Sequence, residues 1–145
     1  MRNEIRSSIP QYNPIKSTSQ IPSGVAEIPQ SVNPEEEKFI ISFRYYCDDL
    51  CEINYLEKNC ARSALRDLRL IGKCNNLHSL KDNNIGIYGI VNNGEYRKLF
   101  RKLSPDIEIR EHRLQNTARL FYFIARNLFY IRAIKNSHFE TDKQR

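Results

Sequence analysis

No uninterrupted apolar run in this 145-residue chain approaches the ~18 residues of a membrane span, and the first residues lack the apolar stretch of a secretory leader. Those two absences set the expectation of a cytoplasmic protein with no membrane partner. Nor is there a glycine-rich phosphate loop, a GxSxG turn or an HExxH pair, which removes the common nucleotide-binding, hydrolase and zincin motifs. Four cysteines are present, Cys47, Cys51, Cys60 and Cys74, but no two form a CxxC pair. Even with His78 as the nearest helper, their spacings match no common zinc finger or ribbon. Buried, reduced thiols account for them, and neither a metal nor a cofactor is expected.

What the chain does have is positive charge, unevenly placed. Its formal net charge is +6. Residues 1–38 hold Arg2, Arg6, Lys16 and Lys38 against Glu4, Glu27, Glu35, Glu36 and Glu37, a net of −1, so the remainder carries +7. Such an excess favours RNA, DNA, an acidic protein or an anionic surface, although it also lies in the range that keeps small domains soluble. With 40% hydrophobic residues the chain suffices for one core and one domain.

Prolines 10, 14, 22, 29 and 34 fall in a stretch rich in Ser, Asn and Gln. Such a stretch buries too little apolar surface to offset its ordering entropy. Residues 1–37 are therefore expected to be a flexible Pro/Ser-rich tail, and residues 38–145 a single basic α+β domain. From Phe39 the run Phe-Ile-Ile-Ser-Phe-Arg-Tyr-Tyr reads as a strand. Asp48 and Asp49 can cap a helical stretch carrying Leu50, Ile53 and Leu56. Ala61, Ala64, Leu65, Leu68 and Ile71 recur at the spacing of one helical face, which predicts a helix over 61–74. Arg62, Arg66, Arg69 and Lys73 line a second, basic face of the same helix.

Ile85 to Val91 reads as an edge strand, since Gly86 and Gly89 weaken it. After a turn at Asn92, Asn93 and Gly94, the residues Tyr96, Leu99, Phe100 and Leu103 mark the buried face of a second amphipathic helix, with Arg97, Lys98, Arg101 and Lys102 on its other faces. Ile107 to Leu114 follows as a strand. Arg119 to Ala125 and Leu128 to Ile134 are apolar on both faces, as central strands are, and Arg126-Asn127 suits a tight hairpin because Asn tolerates positive φ. The expected fold is α+β: an antiparallel sheet of four to five strands, two to three helices packed on one face, and a disordered N-terminal tail.

Cations, imidazoles and phenols collect on the C-terminal strands. By the period of two, Arg110 and His112 share one face of their strand, with Glu111 and Arg113 on the other. Arg119 opens the next strand, Arg132 interrupts the one after it, and Lys135 and His138 follow. RNA cleavage by 2′-OH attack needs a proton acceptor, a cation for the phosphorane-like transition state and a donor for the leaving oxygen. His112, Arg119, Lys135, His138 and Tyr130 are residue types that can serve. Each also has an ordinary structural use: a strand-end arginine commonly binds a carbonyl or carboxylate, and a sheet tyrosine is commonly core.

The runs Ile107-Glu108-Ile109-Arg110-Glu111, Arg119-Leu120-Phe121-Tyr122-Phe123 and Ala133-Ile134-Lys135-Asn136-Ser137-His138-Phe139-Glu140-Thr141 resemble the C-terminal half of HigB-type members of the RelE toxin superfamily, over residues 95–143. The resemblance implies a strand, two helices and a three- or four-stranded antiparallel sheet, and cleavage of mRNA, often on the ribosome. It carries over Arg110, Arg119, Lys135 and His138 as site residues. It also implies a cognate antitoxin protein. The family's double-lysine segment is replaced here by Lys135-Asn136-Ser137-His138.

Three readings follow. The first is a metal-independent endoribonuclease toxin, with mRNA or the ribosome as partner, catalytic residues Arg119, His138, Arg110, Lys135 and His112, and the two basic helix faces holding RNA phosphates. The second is a non-catalytic nucleic-acid-binding or interaction module of phage or defence-system origin, which needs only the basic faces. The third is a protein-binding domain recognised through its proline-rich tail.

Overall fold

A computed structural model describes residues 37–137 and Phe139, and the tail expected over 1–37 lies outside them except for Glu37. In chain order the elements are β1 (Ile40–Ser42), a 3-10 turn (Ile53–Tyr55), α1 (Lys58–Ile71), α2 (Leu77–Asp82), β2 (Tyr88–Gly89), a second 3-10 turn (Gly94–Tyr96), α3 (Arg97–Phe100), β3 (Arg110–Arg113), β4 (Arg119–Ala125) and β5 (Leu128–Lys135). The strands form one five-stranded sheet in the order β1-β5-β4-β3-β2. Three of its pairings are antiparallel, whereas β1 runs parallel to β5, with Ile40 opposite Leu128 and Ser42 opposite Tyr130. No helix among the described residues is long and apolar enough to cross a membrane.

Strands β4 and β5 are apolar on both faces because both faces are covered. On one face Leu120, Tyr122, Phe129, Ile131 and Ile134 pack with Cys60, Ala64 and Ile71 of α1 and Leu80 of α2. On the other, Phe121 and Ala133 pack with Leu99 of α3, Ile109 and Phe139. The expectation of helices on one face thus holds for α1 and α2, while α3 covers the reverse side. α3 itself is a single helical turn rather than the longer helix its apolar spacing suggested.

The physical reason lies in β5. Phe121 pairs with Ala133 and Tyr122 with Ile131, so Arg132 is the extra residue of a β-bulge. Its buried guanidinium donates to three carbonyls: Nε to Leu99 O at 2.8 Å, Nη2 to Arg101 O at 2.8 Å and Nη1 to Tyr45 O at 2.6 Å. One buried cation thereby pins α3, the turn after it and the chain following β1 onto this face. Burial pushes the Arg132 pKa down from its ordinary value, so the three carbonyls are also what keeps its charge solvated.

α1 corrects a second detail. Its buried side is Cys60, Ser63, Ala64, Asp67 and Ile71, and Leu65 is 68% exposed. Asp67 is drawn inward by His112, which rotates Leu65 out among Arg62, Arg66 and Arg69. Both ends of the α1–α2 layer are fastened by side chains. Asn136 Oδ1 accepts from Glu57 N at 2.9 Å and its Nδ2 donates to Tyr55 O at 3.2 Å, tying the start of α1 to the end of β5. Asn76 and Ser79 form a capping box at the start of α2.

Candidate active site

Strand register decides what meets on the reverse face of the sheet. Arg113 lies opposite Arg119, and Arg119 lies opposite Lys135, so three cations stand in one row across β3, β4 and β5. Directly opposed residues project from the same face, and three like charges so placed repel. The compensation comes from Glu111, two residues before Arg113 and so on the same face. Arg119 Nε donates to Glu111 Oε2 at 2.9 Å, and Tyr96 OH donates to Glu111 Oε1 at 3.3 Å. Arg119 Nη1 further donates to Ala118 O at 3.0 Å and Asn116 O at 3.3 Å.

Beneath these groups is an aromatic bed. The Phe139 ring centroid lies 5.3 Å from that of Phe121 and 5.4 Å from that of Tyr96, and Lys135 Nζ sits 4.7 Å from the Phe139 centroid. Cation–π contact of that kind positions an ammonium that remains partly exposed. Burial, followed by the charge of Glu111, raises the Tyr96 pKa. Glu111 and Arg113 also line a cavity of about 540 Å³ at the β2 edge, with Tyr88 and Asn84 on its other sides. The Glu111 carboxylate and the Arg113 guanidinium therefore border a space large enough for a nucleotide, with Arg119 joined to it through its bond to Glu111.

Arg110 and His112 belong to the opposite face. Arg110 donates from Nη1 to Ile87 O and from Nη2 to Glu108 Oε1, both at 2.8 Å. His112 is buried with both ring nitrogens engaged: Nδ1 accepts from Gly86 N at 2.8 Å and Nε2 lies 2.7 Å from Asp67 Oδ2. Since Nδ1 accepts, the proton sits on Nε2 and is donated to Asp67. Of the five expected catalytic residues, Arg119 and Lys135 come together, Arg110 and His112 stand behind the sheet, and His138 lies outside the described residues. Tyr130 stacks on Phe123 at 5.0 Å, in the aromatic group beside Tyr45.

The basic groups divide in the same way. Arg62, Arg66, Arg69 and Lys73 are exposed on α1, and Arg97, Lys98, Arg101 and Lys102 are exposed on α3 and the turn after it. The two sets stand on opposite faces of the sheet and do not form one continuous patch. Among the described residues no group of three or more His, Cys, Asp or Glu side chains could hold a metal ion.

Glu111, Tyr96 and Arg113 were not among the candidates taken from the sequence. Alternation along β3 places Glu111 and Arg113 on one face, but only the β3–β4 register reveals that this is the face of Arg119. No protein-family model, curated protein or solved structure matches this chain.

Proposed function

We propose that this protein is a metal-independent endoribonuclease of the toxin class that cleaves mRNA in the cytoplasm, in the manner of the HigB-type proteins it resembles. The observation that carries this reading is the contact of Arg119 with Glu111 at 2.9 Å, in register with Lys135 on β5. Cleavage by 2′-OH attack needs a base, a fixed positive charge and a proton donor in one place.

Glu111 takes the proton of the 2′-hydroxyl, held in orientation by Arg119 and Tyr96. The 2′-oxygen forms a bond to phosphorus, and the bond from phosphorus to the 5′-oxygen breaks. Arg119, with Arg113, offsets the charge that builds on the non-bridging oxygens. The Lys135 ammonium gives its proton to the departing 5′-oxygen, leaving a 2′,3′-cyclic phosphate and a 5′-hydroxyl. The ribosome as the place of cleavage and an antitoxin that covers the site follow from the resemblance.

The test is induced expression with growth and mRNA integrity followed together. Wild type should arrest growth and fragment mRNA. Glu111→Gln and Lys135→Gln should each slow fragmentation by about 100-fold or more while remaining folded. Normal growth with intact mRNA in folded wild type would overturn the reading. A second reading, a non-catalytic nucleic-acid-binding module, draws on the exposed stripe Arg62, Arg66, Arg69 and Lys73, and predicts salt-sensitive RNA binding with no fragmentation.

A further inference from the structure

A second cavity, of about 530 Å³, opens on the reverse face between the chain that follows β1 and the turn that follows α3. One wall carries Arg44, Tyr45, Asp48 and Asp49, the other Lys98, Arg101 and Lys102, and Arg132 forms the floor. The floor is built rather than incidental, because the buried guanidinium of Arg132 binds Tyr45 O of the first wall and Leu99 O and Arg101 O of the second. The separation of the walls is thereby set before any ligand arrives.

The two walls differ in chemistry. The α3 side presents three exposed cations. The β1 side presents an aromatic surface: Tyr45 is 40% exposed, its ring 5.1 Å from that of Tyr130 and 5.9 Å from that of Phe123, with the Arg44 guanidinium carbon 5.8 Å from its centroid. Asp48 and Asp49 add hydrogen-bond acceptors next to it. Lys102 holds φ at 63°, the left-handed region that favours glycine. A lysine kept in a conformation that costs about 1 kcal/mol, at the rim of a cationic wall, points to a use for its charge.

We propose that this cavity binds one unpaired nucleotide of single-stranded RNA, its base on Tyr45 and its phosphate on Lys98, Arg101 and Lys102. A nucleotide has the same polarity as the cavity, with an anionic phosphate at one end and a flat base carrying amine donors at the other. An acidic peptide would meet the cations equally well but would place carboxylates against Asp48 and Asp49 and leave the aromatic surface unused. The choice of RNA rests on the proposed ribonuclease activity, whereas binding here involves no cleavage step. A strand held in this cavity would be anchored on the face that carries Glu111, Arg119 and Lys135.

The full chain is titrated against a fluorescent, mixed-sequence RNA octamer bearing 2′-O-methyl groups, which lacks the nucleophile and stays intact. Tyr45→Ala keeps the carbonyl that Arg132 uses and should weaken binding on the order of tenfold. Lys102→Gly should weaken it several-fold and flatten the salt dependence by about 0.7 in slope, with an unfolding midpoint equal to or above that of wild type. Wild-type affinity in both variants overturns the cavity as the site even where unmodified RNA is cleaved. Displacement of the RNA by an equal concentration of a glutamate decapeptide overturns the choice of ligand. Intact mRNA on induced expression of the folded protein, with octamer binding still dependent on Tyr45 and Lys102, counts against the ribonuclease reading alone and supports the cavity.

Discussion

Asp67 Oδ2 and His112 Nε2 lie 2.7 Å apart in the interior, joining the middle of α1 to β3. The imidazole passes the connection on, since its other nitrogen accepts from Gly86 N at 2.8 Å. Three segments far apart in the chain are thus held by one ring. Removing the carboxylate strands a buried N–H, so Asp67→Ala should cost about 2–4 kcal/mol in urea unfolding. Asp67→Asn keeps an oxygen acceptor and should cost much less. Equal losses in the two variants would count against the bond as the source of the stability.

Gly86 is required at its position by space rather than by backbone angle. A Cβ there would lie 3.1 Å from Glu111 O and 3.2 Å from His112 Cα, both backbone atoms that cannot rotate away. Gly86→Ala should therefore destabilise by about 1–3 kcal/mol, as overpacking does. Because β3 must shift to admit the methyl group, RNA cleavage by the folded fraction should fall as well. Unchanged specific activity in the folded protein would separate Gly86 from the site.

Arg132 is not replaceable by lysine, because an ammonium cannot span the three carbonyls that the guanidinium fork reaches. Arg132→Lys should lose at least about 2 kcal/mol in urea. It should also loosen both walls of the cavity, so that the 2′-O-methyl octamer binds more weakly than the drop in folded fraction explains. Wild-type stability in this variant would remove the guanidinium from its role as a clamp.

The β4–β5 hairpin offers a gain. Ala125 pairs with Leu128 across a two-residue loop, and it is Arg126, not Asn127, that takes positive φ, at 61°. That angle at the first loop position only is the pattern of a II′ turn, where glycine is preferred. Arg126→Gly should raise the urea midpoint by the equivalent of about 1 kcal/mol, without altering RNA cleavage.

Tyr46 predicts an alkaline limit. Its hydroxyl donates to Cys51 O at 2.7 Å, and burial pushes its pKa up to about 12 from an ordinary value of 10.0. Between those values the folded chain keeps a proton that the unfolded chain has lost, so stability present below pH 10 falls as pH rises toward 12. Burial also raises the Tyr122 pKa and acts in the same direction. Burial holds the Cys51 and Cys60 thiols above their ordinary 9.0 as well, so urea midpoints should hold steady to about pH 8.5 and then decline, most steeply above pH 10. Tyr46→Phe should decline less steeply.

What could be read from the residues depended on how local the cause was. β4 and β5 were legible as continuous apolar runs because both of their faces are covered, and β2 as an edge because of its glycines. Leu65 was misplaced because helical spacing cannot anticipate that Asp67, a charged residue, is pulled inward by His112, 45 positions away. The parallel pairing of β1 with β5 leaves no mark in either strand's composition. The site was half legible for the same reason. Arg119 and Lys135 stood out as charges in apolar strands, whereas Glu111 acquires its part only through register with a neighbouring strand.

That parallel pairing also orders events in time. β5 is the partner of both β1 and β4, and Ile40 cannot find Leu128 until the 87 intervening positions have been made. Closing so long a loop is slow compared with forming α1 or the β4–β5 hairpin. During synthesis the chain that follows β1, with Tyr45 waiting for Arg132, stays unanchored until β5 emerges. A nascent chain therefore carries neither the cavity floored by Arg132 nor the full row of Arg113, Arg119 and Lys135, and both arise together in one late step.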